Sequence, residues 1–231
     1  RDAEQEMWWM IFALVFGLAA TRIAADDRVV FNETSLIETT GGDLVALVRT
    51  AGYQDHGVVV RSTDRGQSWE PWNDMGVIGH PYQALRLDDG CLLLVYGYRH
   101  EPYGIRARLL DPEGRDFSGP ELVLRTDGGS GDLGYPWACQ LADGRVLLTC
   151  TQRSTFFPLG VRALLSEDDG RTWAFDSDRI VIDGQGPWGL PQGGGFGNTV
   201  QLADGDLLTC YSYRRGPETT RIEVARWRLP D

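Results

Sequence analysis

Lysine is absent from this 231-residue chain: all 22 basic residues are arginine, set against 33 aspartates and glutamates for a net charge of −11. Such an excess of negative charge excludes nucleic acid and anionic membrane as expected partners, because both would repel it. The arginine bias has a plain cause in coding composition, so arginine counts alone carry no functional argument. A sustained helical period is also missing. The most hydrophobic run, Met7 to Ala20, is 14 residues long, short of the ~20 that span a bilayer. It reads as a strand left from an earlier repeat or one closing a ring. A secretory leader is the alternative, and the acidic flank (Asp2, Glu4, Glu6) argues against it. The four cysteines, Cys91, Cys139, Cys150 and Cys210, show no C-x-x-C spacing and read as buried thiols rather than disulfides or metal ligands. No cofactor motif is present, since the glycine-rich stretch Thr126 to Gly134 lacks the lysine and helix of a phosphate loop. The compartment stays open.

What the sequence does contain is a repeat. LADGRVLLTCTQR, Leu141 to Arg153, reads as a β-hairpin turning at Asp143 and Gly144, and SEDDGRTW, Ser166 to Trp173, follows as a second tight turn. LDDGCLLLVYGYR (Leu87 to Arg99) and LADGDLLTCYSYR (Leu202 to Arg214) repeat the hairpin, and ETTGGDLVALVRT (Glu38 to Thr50) is a looser version. The turn glycines 42, 90, 144 and 205 are 48, 54 and 61 residues apart, a spacing that suits four-stranded propeller blades. The closing turn recurs at STDRGQSW, Ser62 to Trp69, while LDPEGRDF, Leu110 to Phe117, keeps only the glycine and a terminal aromatic. One all-β propeller domain over 1–231 is therefore expected, with repeats at about 30–75, 79–124, 132–183 and 195–230 and a strand remnant or leader at 1–29.

Offsets from the hairpin glycine place the candidate site. Nine residues before it stand Glu33, Pro81, Tyr135 and Phe196, with His80 one position earlier; at the far end of the returning strand come Arg49, Arg99, Arg153 and Arg214. A hairpin brings its two open ends to one edge of the sheet, so one face of the ring is expected to carry Glu33, His80, Tyr135 and the arginines. Guanidinium groups bind carboxylates bidentately, which suits an acidic sugar or glycan. The bland readings are a tyrosine packed at a strand start and arginines on a solvated edge.

The pattern S-x-D-x-G-x-x-W, at Ser62, Asp64, Gly66, Trp69 and again at Ser166, Asp168, Gly170, Trp173, resembles the Asp box (BNR repeat) of the sialidase superfamily. The resemblance covers roughly 31–230 and implies a six-bladed propeller of which about four repeats are visible. It implies a glycoside hydrolase acting on terminal sialic acid or a related acidic sugar. NETSLIETTGGDLVALVR is similar to the family segment that carries a catalytic glutamate and a carboxylate-binding arginine, which places Glu33 and Arg49 in those roles. DLGYPWACQLADG places Tyr135 on the nucleophile, and Arg99 is the nearest further arginine. The last repeat carries Phe196 at the same offset, and if that blade is the counterpart the nucleophile is gone. The family's first arginine and its acid/base aspartate have no match here; Asp55 and Asp132 stand in by proximity. The alternative is a non-catalytic carbohydrate- or anion-binding propeller, and a third class is an interaction scaffold.

Overall fold

The computed structural model describes residues 20–131, 133–152, 160–183, 193–214 and 220–229. The run Met7 to Ala20, expected as a strand or a leader, lies outside them up to residue 19, as do Arg153 and Asp132. Every regular element among the described residues is a strand. β1 (Val30–Glu38), β2 (Leu44–Ala51), β3 (His56–Ser62) and β4 (Asn73–Ile78) form one antiparallel sheet in chain order. β5 (Tyr82–Arg86), β6 (Leu92–Tyr98), β7 (Gly104–Leu110) and β8 (Leu122–Arg125) form the second, and β9 (Leu133–Gln140), β10 (Val146–Gln152), β11 (Gly160–Ser166) and β12 (Ala174–Asp183) the third. β13 (Gly193–Gln201), β14 (Leu207–Arg214) and β15 (Thr220–Trp227) make a fourth sheet of three described strands. The first strands of successive sheets, β1, β5, β9 and β13, lie against one another. The protein is an all-β propeller, and each sheet is a blade.

The hairpins between the first two strands of each blade share one geometry. In the third blade the Gly144 N–H donates to the Leu141 carbonyl at 2.9 Å and the Leu141 N–H to the Arg145 carbonyl at 2.8 Å, and the same pair of bonds closes the turns at Gly42, Gly90 and Gly205. All four glycines sit at φ of 85 to 89°, left-handed backbone that an L side chain resists and glycine does not. Four local sequences thus dictate the same entry into the second strand.

Packing explains why the strands lack alternation. β6 is buried along nearly its whole length because blades cover both of its faces: Leu92, Leu94 and Tyr96 pack with Val45, Leu47, Met75 and Val77 of the first blade. Leu93 and Val95 turn the other way, onto Leu133, Ala138 and Leu148 of the third. Each buried leucine contributes about 1.5–3 kcal/mol, so blade order is fixed by continuous apolar runs. A second layer holds the second and third blades together. Arg125, with a side chain only 4% exposed, bonds Asp127 and reaches Asp178 of the next blade at 3.0 Å.

The closing turns are built by an aspartate. Asp64 Oδ1 accepts the Ser68 N–H at 2.8 Å, Oδ2 accepts the Ser68 hydroxyl at 2.6 Å, and the Ser62 hydroxyl receives the Gly66 N–H at 2.8 Å. Asp168 repeats this with Thr172 at 2.7 and 2.6 Å. The degenerate copy keeps more than its glycine: Asp111 accepts the N–H groups of Glu113, Arg115 and Asp116, each at 2.9 Å. All four cysteines are free thiols. Cys150 is buried, as expected of all four, whereas Cys210 on β14 is exposed.

Candidate functional site

The inner strands are irregular where they begin. The β1–β2 register shifts between Phe31 and Thr34, β9–β10 between the partners of Thr149 and Thr151, and β13–β14 between Phe196 and Asn198. Each shift is a bulge that redirects side chains at the rim of a sheet. Tyr135 (φ 48°) and Phe196 (φ 77°) lie at two of them in left-handed backbone, a conformation that costs a non-glycine residue about 1–3 kcal/mol and persists only where its surroundings enforce it. The second blade has a cis His80–Pro81 peptide at the equivalent place.

These irregular starts converge. The Tyr135 hydroxyl donates to Glu33 Oε1 at 3.0 Å, and Arg49 Nη1 donates to Glu33 Oε2 at 2.7 Å. The Arg99 guanidinium stands 5.8 Å from the Tyr135 ring centroid, and the Phe196 ring meets that ring edge-on at 4.9 Å. His80, 6% exposed, faces Asp55 through Nε2 at 3.6 Å, and Asp55 also faces His100 Nε2 at 3.1 Å. Six residues singled out in the sequence, Glu33, Tyr135, Arg49, Arg99, His80 and Asp55, therefore form one neighbourhood. Arg214 ends β14, but its side chain is outside the described set, and Arg153 is outside it altogether.

Electrostatics gives the cluster a direction. Burial pushes the Glu33 carboxyl up, but hydrogen bonds from Arg49 and Tyr135 and the charges of Arg49 and Arg99 outweigh it and hold the group below its ordinary value. Burial, reinforced by Arg49 and Arg99, pushes the His80 imidazole down to about 4, with Asp55 and Glu33 opposing in part. Three side-chain atoms among the described residues are buried without a hydrogen-bond partner: Arg49 Nε, Arg99 Nε and His80 Nδ1. Unpaired buried polar atoms are costly, by about 1–3 kcal/mol each, and here all three belong to this one cluster. Among the described residues no group of three or more His, Cys, Asp and Glu is placed to hold a metal ion.

Two contributors were not singled out as functional in the sequence. In the sequence Phe196 is only the positional equivalent of Tyr135, and nothing there marks it as the ring that meets Tyr135 edge-on. His100 follows Arg99 directly, and it is one of only three histidines in the chain; that scarcity was the available signal.

No family model and no curated protein matches the chain. Solved structures do. A protein of unknown function from Dyadobacter fermentans DSM 18053 is 50% identical over 62% of this chain and 40% of its own, with a TM-score of 0.60. Xylan β-1,4-xylosidase from Bacillus halodurans C-125 is 14% identical over 88% of this chain and 42% of its own, at a TM-score of 0.61. A GH43 β-1,3-galactosidase, solved with galactodeoxynojirimycin, is 11% identical over 92% of this chain and 78% of its own, at a TM-score of 0.61. The chain thus spans less than half the length of the first two. These findings correct the sialidase resemblance: the enzymes matched are five-bladed GH43 glycoside hydrolases, not six-bladed sialidases. The physical reason lies in the motif. S-x-D-x-G-x-x-W encodes a turn in which one aspartate gathers local N–H and hydroxyl groups, and any antiparallel blade can use it. At such low identities the GH43 likeness shows the propeller fold.

Proposed function

We propose that the mouth formed by Glu33, Tyr135, Arg49 and Arg99 cleaves the glycosidic bond of an acidic sugar. The observation that carries this reading is the Arg49–Glu33–Tyr135 chain of hydrogen bonds, set beside unpaired buried guanidinium nitrogens of Arg49 and Arg99. Sugar as the ligand class is supported by the propeller likeness to glycoside hydrolases. The arginines favour a carboxylate on that sugar, bound through two N–H groups at once. Where the carboxylate lies on or beside the anomeric carbon, an anionic nucleophile meets like charge and a neutral phenol does not. Tyr135 then attacks, and Glu33 at 3.0 Å accepts the phenol proton.

One observation favours a second reading, an anion- or carbohydrate-binding mouth without turnover. Glu33 is held below its ordinary value, and a weakened base is a poor acceptor for a phenol of reference pKa ~10. One panel decides. The protein is offered the 4-methylumbelliferyl glycosides of N-acetylneuraminic acid, glucuronic acid, galactose and xylose. Hydrolysis confined to acidic glycosides, abolished in Tyr135→Phe with sugar binding intact, is expected. Saturable binding of acidic sugars without hydrolysis supports the second reading, and cleavage of the neutral glycosides alone overturns both.

A further inference from the structure

Attack by Tyr135 leaves one proton to be supplied. The phenol proton passes to Glu33, while the departing alcohol leaves as an alkoxide unless a second acid protonates it. Guanidinium groups do not release a proton in proteins, so Arg49 and Arg99 cannot serve. The loop after β2 provides the missing chemistry. Gln54 and Asp55 lie in left-handed backbone at φ 52 and 60°, and the Asp55 carbonyl is fixed by the Gly79 N–H at 3.0 Å. This strained carboxylate stands between two imidazoles, His80 and His100. The two rings differ in access. The His80 side chain is 8% exposed and that of His100 is 48% exposed. His80 also stays neutral beside the arginines, and His100 is the ring of the trio that is open to solvent. His100 directly follows Arg99, whose guanidinium overlies the Tyr135 ring.

We propose that His100, oriented by Asp55, donates the proton to the leaving group in the reaction assigned to this mouth, an inference that rests on the hydrolase reading above. Asp55 Oδ2 lies 3.1 Å from His100 Nε2, which leaves Nδ1 as the nitrogen that carries the transferred proton. In the first step the Tyr135 oxygen–anomeric carbon bond forms as the bond to the leaving oxygen breaks; the phenol proton goes to Glu33 and the imidazolium proton to the leaving oxygen. In the second, water attacks the same carbon and gives a proton to the neutral imidazole. The electron pair of the broken bond returns to the Tyr135 oxygen, which recovers its proton from Glu33.

The test compares two glycosides of one acidic sugar in His100→Gln, one with a 4-methylumbelliferyl and one with a methyl leaving group. An aryl oxide needs little protonation, so its kcat/KM, which reports the first step alone, should stay within about tenfold of the unmodified protein, while kcat/KM for the methyl glycoside falls about 10²–10⁴-fold. Asp55→Asn should show the same split. Equal slowing of both substrates, or of neither, overturns the assignment. If the unmodified protein cleaves neither glycoside, the hydrolase reading fails by itself, and the placement of His100 is read by NMR. With three histidines in the chain, its imidazole signal is identified by its loss in His100→Gln. Movement of that signal on adding N-acetylneuraminate supports a place in the mouth; a stationary signal while other mouth resonances move overturns it.

Discussion

At the scale of single residues, the mouth is held in place against its own solvation. His80 is the clearest instance, because burial foremost and then Arg49 and Arg99 depress its imidazole to about 4. The unfolded chain takes up that proton near the ordinary value of 6.5, and the folded protein refuses it until about 4. Stability from this residue is therefore fully present above about pH 6.5 and drains away as pH falls toward about 4. Thermal melts across that window should show a shallower decline for His80→Gln than for the unmodified protein; parallel curves would count against a neutral buried imidazole. Glu33, Arg49 and Tyr135 were legible because offset from a hairpin glycine is also distance along a strand, and the hairpins fold alike. The Tyr135–Phe196 contact was not, since it depends on two bulges and on left-handed backbone at non-glycine residues. The contact between Asp55 and His100 was hidden for a related reason. Their meeting is set by loops of different blades, for which no periodicity exists.

At the scale of elements, the closing turns show how one side chain substitutes for a longer fold signal. The Asp168 carboxylate accepts three hydrogen bonds, from the Ser166 hydroxyl, the Thr172 N–H and the Thr172 hydroxyl, while its backbone carbonyl accepts the Arg171 N–H at 3.3 Å. Asp168→Ala should lower stability by about 1–3 kcal/mol and leave sugar binding unchanged, which denaturant melts and a binding isotherm on the same sample can separate. Loss of binding in the folded variant would place the turn in the site instead. Asp64 makes the matching bonds, and those from Ser68 and Ser62 hold its carboxyl at about 2, below the ordinary carboxylate value. A carboxyl depressed on folding stabilises above its unfolded value, so this contribution should disappear as pH falls from about 4 to about 2. The sequence revealed the two full copies and missed that Asp111 does the same work in the second blade. Its spacing to the next N–H donors follows a proline, and side-chain capping of a turn leaves no fixed pattern when one residue shifts.

At the scale of the molecule, the site is a consequence of how closely blades approach. The fold class was legible because two features, the hairpin and the closing turn, recur in phase, whereas the kind of propeller it most resembles was not, because neither feature is tied to any chemistry. What the repeat could not show is the spacing between blades at the mouth, and two glycines set it. Gly97 in β6 lies so near the next blade that an added Cβ would stand 2.7 Å from the His80 carbonyl oxygen and 3.0 Å from Gly134 Cα. Gly134 immediately precedes Tyr135, so a methyl group at position 97 presses on the backbone that aims the phenol at Glu33. Gly97→Ala should cost about 1–3 kcal/mol through overpacking and should weaken binding of acidic sugars by displacing Tyr135. Gly144→Ala is the matched control. Its left-handed backbone (φ 88°) makes alanine strained, yet nothing lies within 4 Å of the added atom, and its turn is at the sheet edge away from the mouth. It should lose about 1–2 kcal/mol and bind normally. If both variants lose stability and binding in the same proportion, blade spacing has no special hold on the site, and the loss at position 97 is only that of a weakened fold.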